Sequence, residues 1–462
     1  MDPTPRPLVK DPRYEWYRWQ IFAITWLAYA GFYLTRKAFS IAKIGLAKDA
    51  AHGGLAMPKS DMGWIDGGFL AAYAIGQFVW GIAADKVGTR KVVLLGLVGS
   101  IAASIAMGAS TWVVIIGIFL IIQGLCQSTG WGPLSKNFAA FFSQRERGTM
   151  MGIWSTSYAA GGLFAGWFAG FCADKFAQWG YIQSWRFAFF VPAGALLIVT
   201  VLFFIFQRNK PEDVGLVPVE EYHGEKPPVI GTDAQQEREG SWKTIWEVIT
   251  NRTVMLLCAA YFLLKPTRYA ILLWGPKYAN EKLGSGMAES GLISGLFEAA
   301  GIVSCIAGGW VSDKVFGSRR MPVCVICLAA LGVGMFFFDH LPAQRWVLSL
   351  AFFVMGMLLF APDSIVSGTA ALDFGTRKGA STAAGLVNGF GSVAAILGGM
   401  LPGFSDSKTT GWGWNMIFTF LAVMLLLSAT MLVFKWNVLP NKPKPQAAAT
   451  QEQELAAPVE AV

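Results

Sequence analysis

Apolar runs long enough to cross a bilayer recur along the whole chain, and no other feature restricts the fold so tightly. A spanning helix needs about 20 mostly apolar residues. Residues 193–206 with their flanks, 347–362 and 416–434 are such runs. Inside a bilayer every backbone N–H and C=O must find its partner within the protein, so only helices and closed barrels cross it. Barrel strands would appear as short alternating segments, and the sequence has none. Only 14% of residues are charged, against about 25% in soluble domains. The expected class is an all-α membrane protein.

Twelve helices account for the pattern, at about 19–46, 61–86, 91–108, 112–140, 148–177, 184–207, 253–280, 287–314, 320–339, 345–372, 379–403 and 412–436. The loops test this count. Those on the side of both termini hold 22 Lys and Arg, those on the opposite side 7. Basic loops stay in the cytoplasm, so both termini and the long central connector are expected there. The same asymmetry explains the formal charge of +8 without nucleic acid as a partner. The first apolar run is too long for a signal-peptide core, so it is expected to remain as the first span. The expected organisation is a cytoplasmic segment 1–18, a six-helix half 19–207, a cytoplasmic linker 208–252, a second half 253–436 and a polar tail 437–462. The linker is rich in Pro, Glu, Gly and Gln, a composition that forms no packed core.

The two halves carry the same punctuation. Gly81–Asp85–Lys86–Gly88–Arg90 follows the second helix, and Gly309–Asp313–Lys314–Gly317–Arg319 follows the eighth, with the aspartates 228 apart. Arg147–Gly148 before the fifth helix matches Lys378–Gly379 before the eleventh, with the glycines 231 apart. Thr35–Arg36 matches Thr267–Arg268, with the arginines 232 apart. A shared offset near half the chain is the trace of a parallel six-helix repeat, as in the major facilitator fold. The loop glycines let helices approach, and Asp85, Asp313, Arg90 and Arg319 are candidates for a gate on one side. Gly162, Gly166 and Gly170 in the fifth helix, and Gly385 and Gly389 in the eleventh, are expected to mark close helix packing.

Ionisable residues deep in a span are costly and mark function. Arg36 and Arg268 both lie well inside their helices. Tyr29, Tyr33 and Arg36 share one helix face, and Lys265 and Arg268 share another. Tyr73 with Gln77, and Ser155 with Tyr158, form further polar pairs, which fit helix-to-helix hydrogen bonding as well as ligand binding. Lys37 points away from Arg36 and is expected to snorkel. Carboxylates are scarce: Glu298 and Asp363 are the main buried ones, with Asp66 and Asp174 near helix ends. A cationic pocket short of counter-charge calls for an anion, and arginine's planar fork fits phosphate. The six cysteines all sit in apolar runs, and Cys324-x-x-Cys327 is expected to be plain helix packing rather than a metal site. No nucleophile–base set or metal cluster points to an enzyme, and no cofactor is called for.

The segments at 29–39 (YAGFYLTRKAF), 123–132 (QGLCQSTGWG), 147–154 (RGTMMGIW), 210–221 (KPEDVGLVPVEE), 267–274 and 297–314 give the chain a specific likeness. It resembles the organophosphate:phosphate antiporter family of the major facilitator superfamily, over about residues 15–436. The resemblance implies exchange of glycerol phosphate, sugar phosphate or phosphoglycerate for inorganic phosphate across a bacterial inner membrane, by a monomer. It implies that Arg36 and Arg268 bind the phosphoryl group and that Tyr29, Tyr33 and Tyr73 line the site. The chain departs from the family pattern in several places. Gln77 stands where several members have a lysine, Tyr158 where they have a histidine, and Lys265 where they have a tyrosine. Gly385 and Asn388 align with an aspartate–lysine pair of hexose phosphate carriers. Two other readings stay open at this point, a carrier of another organic anion and a membrane sensor of sugar phosphate.

Overall fold

The computed structural model describes residues 11–143, 146–223, 246, 249–317, 319–369, 380–406 and 411–437. Arg145, Arg377, Lys378, Gly379, the middle of the connector and the tail from residue 438 lie outside them, as does the side chain of Asp85. Among the described residues there are twelve long helices: α1 Pro12–Leu46, α2 Lys59–Val87, α3 Thr89–Ala109, α4 Val113–Gln127, α5 Arg147–Gln178, α6 Phe187–Phe206, α7 Arg252–Leu283, α8 Met287–Lys314, α9 Met321–Phe338, α10 Arg345–Ser364, α11 Ala380–Met400 and α12 Trp414–Val433. After α4 the chain breaks at residues 128–130 and resumes as a short helix, Trp131–Ala139.

Ten of these helices, α4 counted with its continuation to Ala139, are long and apolar enough to cross a membrane, and α1 and α5 fall short. The reason is chemical. Arg18, Arg36, Lys37 and Lys43 of α1 are all buried inside the protein, and α5 is built largely from glycine, serine and alanine. α1 is enclosed by its neighbours from Gly31 to Leu46, and α5 exposes only one face, with Phe164 and Phe171 on it, so neither needs an apolar surface all round. By contrast, Ile198, Ile306 and Leu427 are more than half exposed on outer helices, as lipid contact requires.

Helix ends follow local rules. Asp11 caps α1, accepting from Arg13 N, and Pro12 follows at the first helical position, where its missing N–H costs nothing. Asn251 caps α7 by accepting from Thr253 N and Val254 N, and Gly284 ends it at φ 64°, a left-handed cap that glycine adopts freely. The first N–H groups of α8 are capped from the other half of the chain, Met287 N and Ala288 N both donating to the Asp174 carboxylate.

The packing repeats after six helices. In the first half α1 packs on α5 and α6, α2 on α4, and α3 on α6; in the second α7 packs on α11 and α12, α8 on α10, and α9 on α12. The two halves meet along α5–α8 and α2–α11, with α1 against α7 at the centre. Glycines set these seams. A Cβ at Gly166 would lie 3.3 Å from Gly291 O, and one at Gly63 would lie 3.0 Å from Gly403 Cα. These contacts belong to the end of the bundle away from both termini. At the other end, Gly81, Gly152, Gly309, Gly385 and Gly389 have nothing within 4 Å of an added Cβ. Gly385 and Gly389 therefore do not mark close packing as expected, whereas Gly162, Gly166 and Gly170 do.

Candidate functional site

Arg36 sits in the second half of α1, buried to 6% exposure. Its Nε donates to Gln127 Oε1 at 2.8 Å, and Gln127 Nε2 in turn donates to Thr35 Oγ1 at 3.2 Å. This ladder fixes the plane of the guanidinium. Its Cζ stands 4.6 Å from the centre of the Tyr33 ring and 4.9 Å from that of Tyr73, so aromatic faces hold the cation. Nη2 is buried and makes no hydrogen bond. Arg36, Phe69, Leu70, Tyr73, Tyr269 and Leu272 line a small pocket, to which both halves contribute.

Arg268 has different company. Its Nη1 donates to Asp363 Oδ2 at 2.5 Å. Lys265 Nζ donates to Asp363 Oδ1 at 3.2 Å and to Tyr261 OH at 2.6 Å. Arg268 Cζ lies 4.8 Å from the Phe360 ring centre and 5.5 Å from that of Tyr158. Pro266 lies inside α7 between Lys265 and Arg268 and removes one N–H from the helix ladder. Gly398 of α11 packs directly on the Pro266 backbone. Tyr269 joins the two arginine sites, since it lines the Arg36 pocket and its ring centre lies 5.8 Å from Lys265 Nζ.

Lys37 does not snorkel. It is 2% exposed, donates to Leu272 O at 2.8 Å and lies 3.8 Å from Glu298 Oε1. The fold brings a carboxylate from the other half within reach, and a buried cation with a partner has no reason to seek water. Gly162 permits this approach, because a Cβ there would come 3.1 Å from Glu298 Cδ. A second buried pair, Lys43–Asp66, lies within the first half and touches the second nearer the end away from the termini. Lys43 Nζ bonds Asp66 Oδ2, donates to Leu273 O at 3.1 Å and stands 3.8 Å over the Trp274 ring.

The other sequence-derived residues are placed as follows. Tyr29 packs on Tyr33, Trp131 and Trp154. Gln77 is half-buried one turn beyond Tyr73. Asn388 is exposed and donates to Ser367 O at 3.2 Å, and Ser367 Oγ in turn donates to Asp363 O at 2.6 Å. In the paired loops Asp313 Oδ1 accepts from Arg320 Nη1 at 2.6 Å. Arg319 reaches Asn437 Oδ1 at 3.3 Å, and Arg90 donates to Phe204 O. These bonds all stay within one half.

Sequence reasoning missed Gln127, Tyr269 and Tyr261 as parts of the site. Gln127 is the last residue of α4, next to the polar break at residues 128–130, and that break was the available signal. Tyr269 directly follows Arg268, which is easily dismissed when faces are assigned by i, i+3 and i, i+4 spacing.

A sequence profile of the Major Facilitator Superfamily matches residues 25–399. The chain is 30% identical to the glycerol-3-phosphate transporter of Bacillus subtilis (strain 168), covering 92% of this chain and 94% of that protein. It is 28% identical to the membrane sensor protein UhpC of Escherichia coli (strain K12), covering 92% and 93%. Among solved structures it resembles a bacterial homolog of the human lysosomal transporter Spinster, inward-facing and unoccupied. That likeness has a TM-score of 0.68 at 13% identity, covering 92% of this chain and 96% of that one.

Proposed function

This chain belongs to the major facilitator superfamily, and on that premise we propose that it exchanges a small phosphorylated metabolite for inorganic phosphate by alternating access. The superfamily places it among multi-pass membrane transporters rather than enzymes. In this proposal the halves 19–207 and 253–436 rock about a central phosphate, both termini face the cytoplasm of a bacterial cell, and the carrier works as a monomer in the inner membrane.

One observation carries the reading. Arg36 is a buried guanidinium with no carboxylate partner among the described residues, and its Nη2 makes no hydrogen bond. An uncompensated cation within a span costs about 2.5–3.5 kcal/mol on insertion scales. A ligand anion in the adjoining pocket supplies the missing partner, and a phosphate accepts two N–H groups from one guanidinium at once. Arg268 keeps donors free after its single bond to Asp363, since a guanidinium carries five N–H groups, and the next residue, Tyr269, lines the Arg36 pocket from the other half. The tight glycine seams between the halves at one end, Gly63 on Gly403 and Gly166 on Gly291, support a carrier that opens on one side at a time. An empty carrier must bring cations together without a ligand between them, so it switches slowly and favours exchange over leak.

The test is counterflow of labelled phosphate in proteoliposomes. Wild type exchanges phosphate and is competed by phosphorylated metabolites. Arg36→Lys keeps the charge but loses the fork, and exchange falls by about 100-fold, equivalent to about 2.7 kcal/mol. Full exchange in Arg36→Lys defeats the clamp. Phosphate binding without any transport by wild type supports the sensor reading instead.

A further inference from the structure

Six charged side chains on α1, α7, α8 and α10 form a buried charge set of the two halves. Arg36, Lys37, Lys265 and Arg268 are the cations, and Glu298 and Asp363 are the carboxylates. Glu298 lies beside Lys37, with both side chains at 3% exposure or less, so that pair is electrically closed. Asp363 bridges Lys265 and Arg268 and removes one of their two charges. The second half therefore presents one net positive charge, and Arg36 presents one from the first half. Asp363 has no need to leave when a ligand arrives, because it occupies only Nη1 of Arg268, and the rest of the guanidinium stays available. Asp363 belongs to the occupied site as well as the empty one.

Resting on the phosphate-exchange reading above, we infer that Asp363 is a specificity-determining residue: it sets the net charge of the site at +2 and so selects a phosphate monoester with an uncharged organic part. A monoester carries about two negative charges near pH 7, which this site matches. A phosphorylated acid such as 3-phosphoglycerate brings one further charge. That charge would be buried without a partner, a state strongly disfavoured in a low-dielectric site. Asp363 also lies where a second ligand carboxylate would seek Lys265, and two carboxylates there repel. Lys265 is thus a cation already spoken for, held by Asp363 and by Tyr261 OH at 2.6 Å, rather than a spare phosphate ligand.

The experiment measures how well glycerol 3-phosphate and 3-phosphoglycerate displace labelled inorganic phosphate from the purified full-length protein. The quantity read is the ratio of the two half-displacing concentrations. Wild type favours glycerol 3-phosphate. Asp363→Asn raises the site to +3 and moves the ratio at least tenfold toward 3-phosphoglycerate. Lys265→Gln lowers it to +1 and moves the ratio the other way, and the double variant, again +2, returns it to near the wild-type value. A purely structural role for Asp363 does not give opposite shifts from two neighbouring substitutions or their cancellation. If Asp363→Asn does not fold, the Lys265→Gln shift alone decides. An unchanged ratio in a variant that still binds phosphate overturns the inference and leaves phosphate exchange standing. A wild-type protein that binds no phosphate at all removes the exchange reading on which it rests.

Discussion

Arg36 and Arg268 occupy matching places in the two halves, yet their surroundings differ in kind. Arg36 is held by neutral groups: an amide oxygen at 2.8 Å and two tyrosine rings within 5 Å. Arg268 is held by a carboxylate shared with Lys265. A repeat that began as two copies has kept the cation and changed what steadies it. The first half leaves its charge open to a ligand. The second half adds a cation and cancels it with Asp363, so the halves face the pocket with equal net charge by different means. An amide and two tyrosine rings aim a guanidinium without spending its charge, whereas a carboxylate aims it by spending part of that charge.

The largest expected effect that tests this contrast is on stability. Replacing both Lys265 and Arg268 with glutamine orphans Asp363, and stripping a buried charge of its partners costs about 3–5 kcal/mol. Arg36→Gln removes a cation that has no counter-charge, so its unfolding midpoint in detergent stays level or rises. Adding Asp363→Asn to the double variant recovers most of the loss, and the interaction energy of that cycle measures the cluster directly. Equal losses at Arg36 and at the Lys265–Arg268 pair would erase the distinction. A smaller effect is expected at Gln127. Gln127→Ala leaves the Arg36 fork without its orienting acceptor, and a net hydrogen bond of about 1–1.5 kcal/mol corresponds to roughly tenfold weaker phosphate binding with little change in unfolding midpoint. The smallest is at Tyr158, whose ring centre lies 5.5 Å from Arg268 Cζ. A contact of that kind contributes about 0.5–1 kcal/mol, so Tyr158→Ala weakens phosphate binding only about two- to fivefold. An effect at Tyr158 larger than at Gln127 would mean that the second arginine, not the first, governs affinity.

The two ends of the molecule form a second contrast. Polar ties cross between the halves at the end away from the termini. Lys43 and Asp66 meet Leu273 and Trp274, Lys59 meets Glu281 at 2.7 Å, and Asp174 caps α8. Near the termini the paired loops bond within their own half. The repeated Gly–Asp–Arg loops are candidates for a gate on the side of the termini. Among the described residues, these ties at the opposite end are made by residues with no repeat signature. Lys43 and Asp66 are 23 residues apart, on separate helices, and no periodicity relates them to Trp274.

Much of the fold was legible because a bilayer imposes its demands residue by residue. Spans need length and apolarity, and loops sort by charge, so the helix count, the repeat and the two arginines all follow from local pattern. Tyr33 and Tyr73 beneath Arg36 were legible too, as polar faces at helical spacing. What the sequence could not determine was pairing. Asp363 and Lys265 are 98 residues apart, Lys37 and Glu298 are 261 apart, and a charge alone does not say which opposite charge folding will bring to it. Lys37 was expected to reach for water because its partner is invisible along the chain. By itself the sequence determined that two cations would be buried at matching depths in two similar halves. Only the tertiary structure decided which of them is neutralised, because in a low-dielectric interior the nearest counter-charge sets a cation's effective charge, and nearness there is a property of packing between helices.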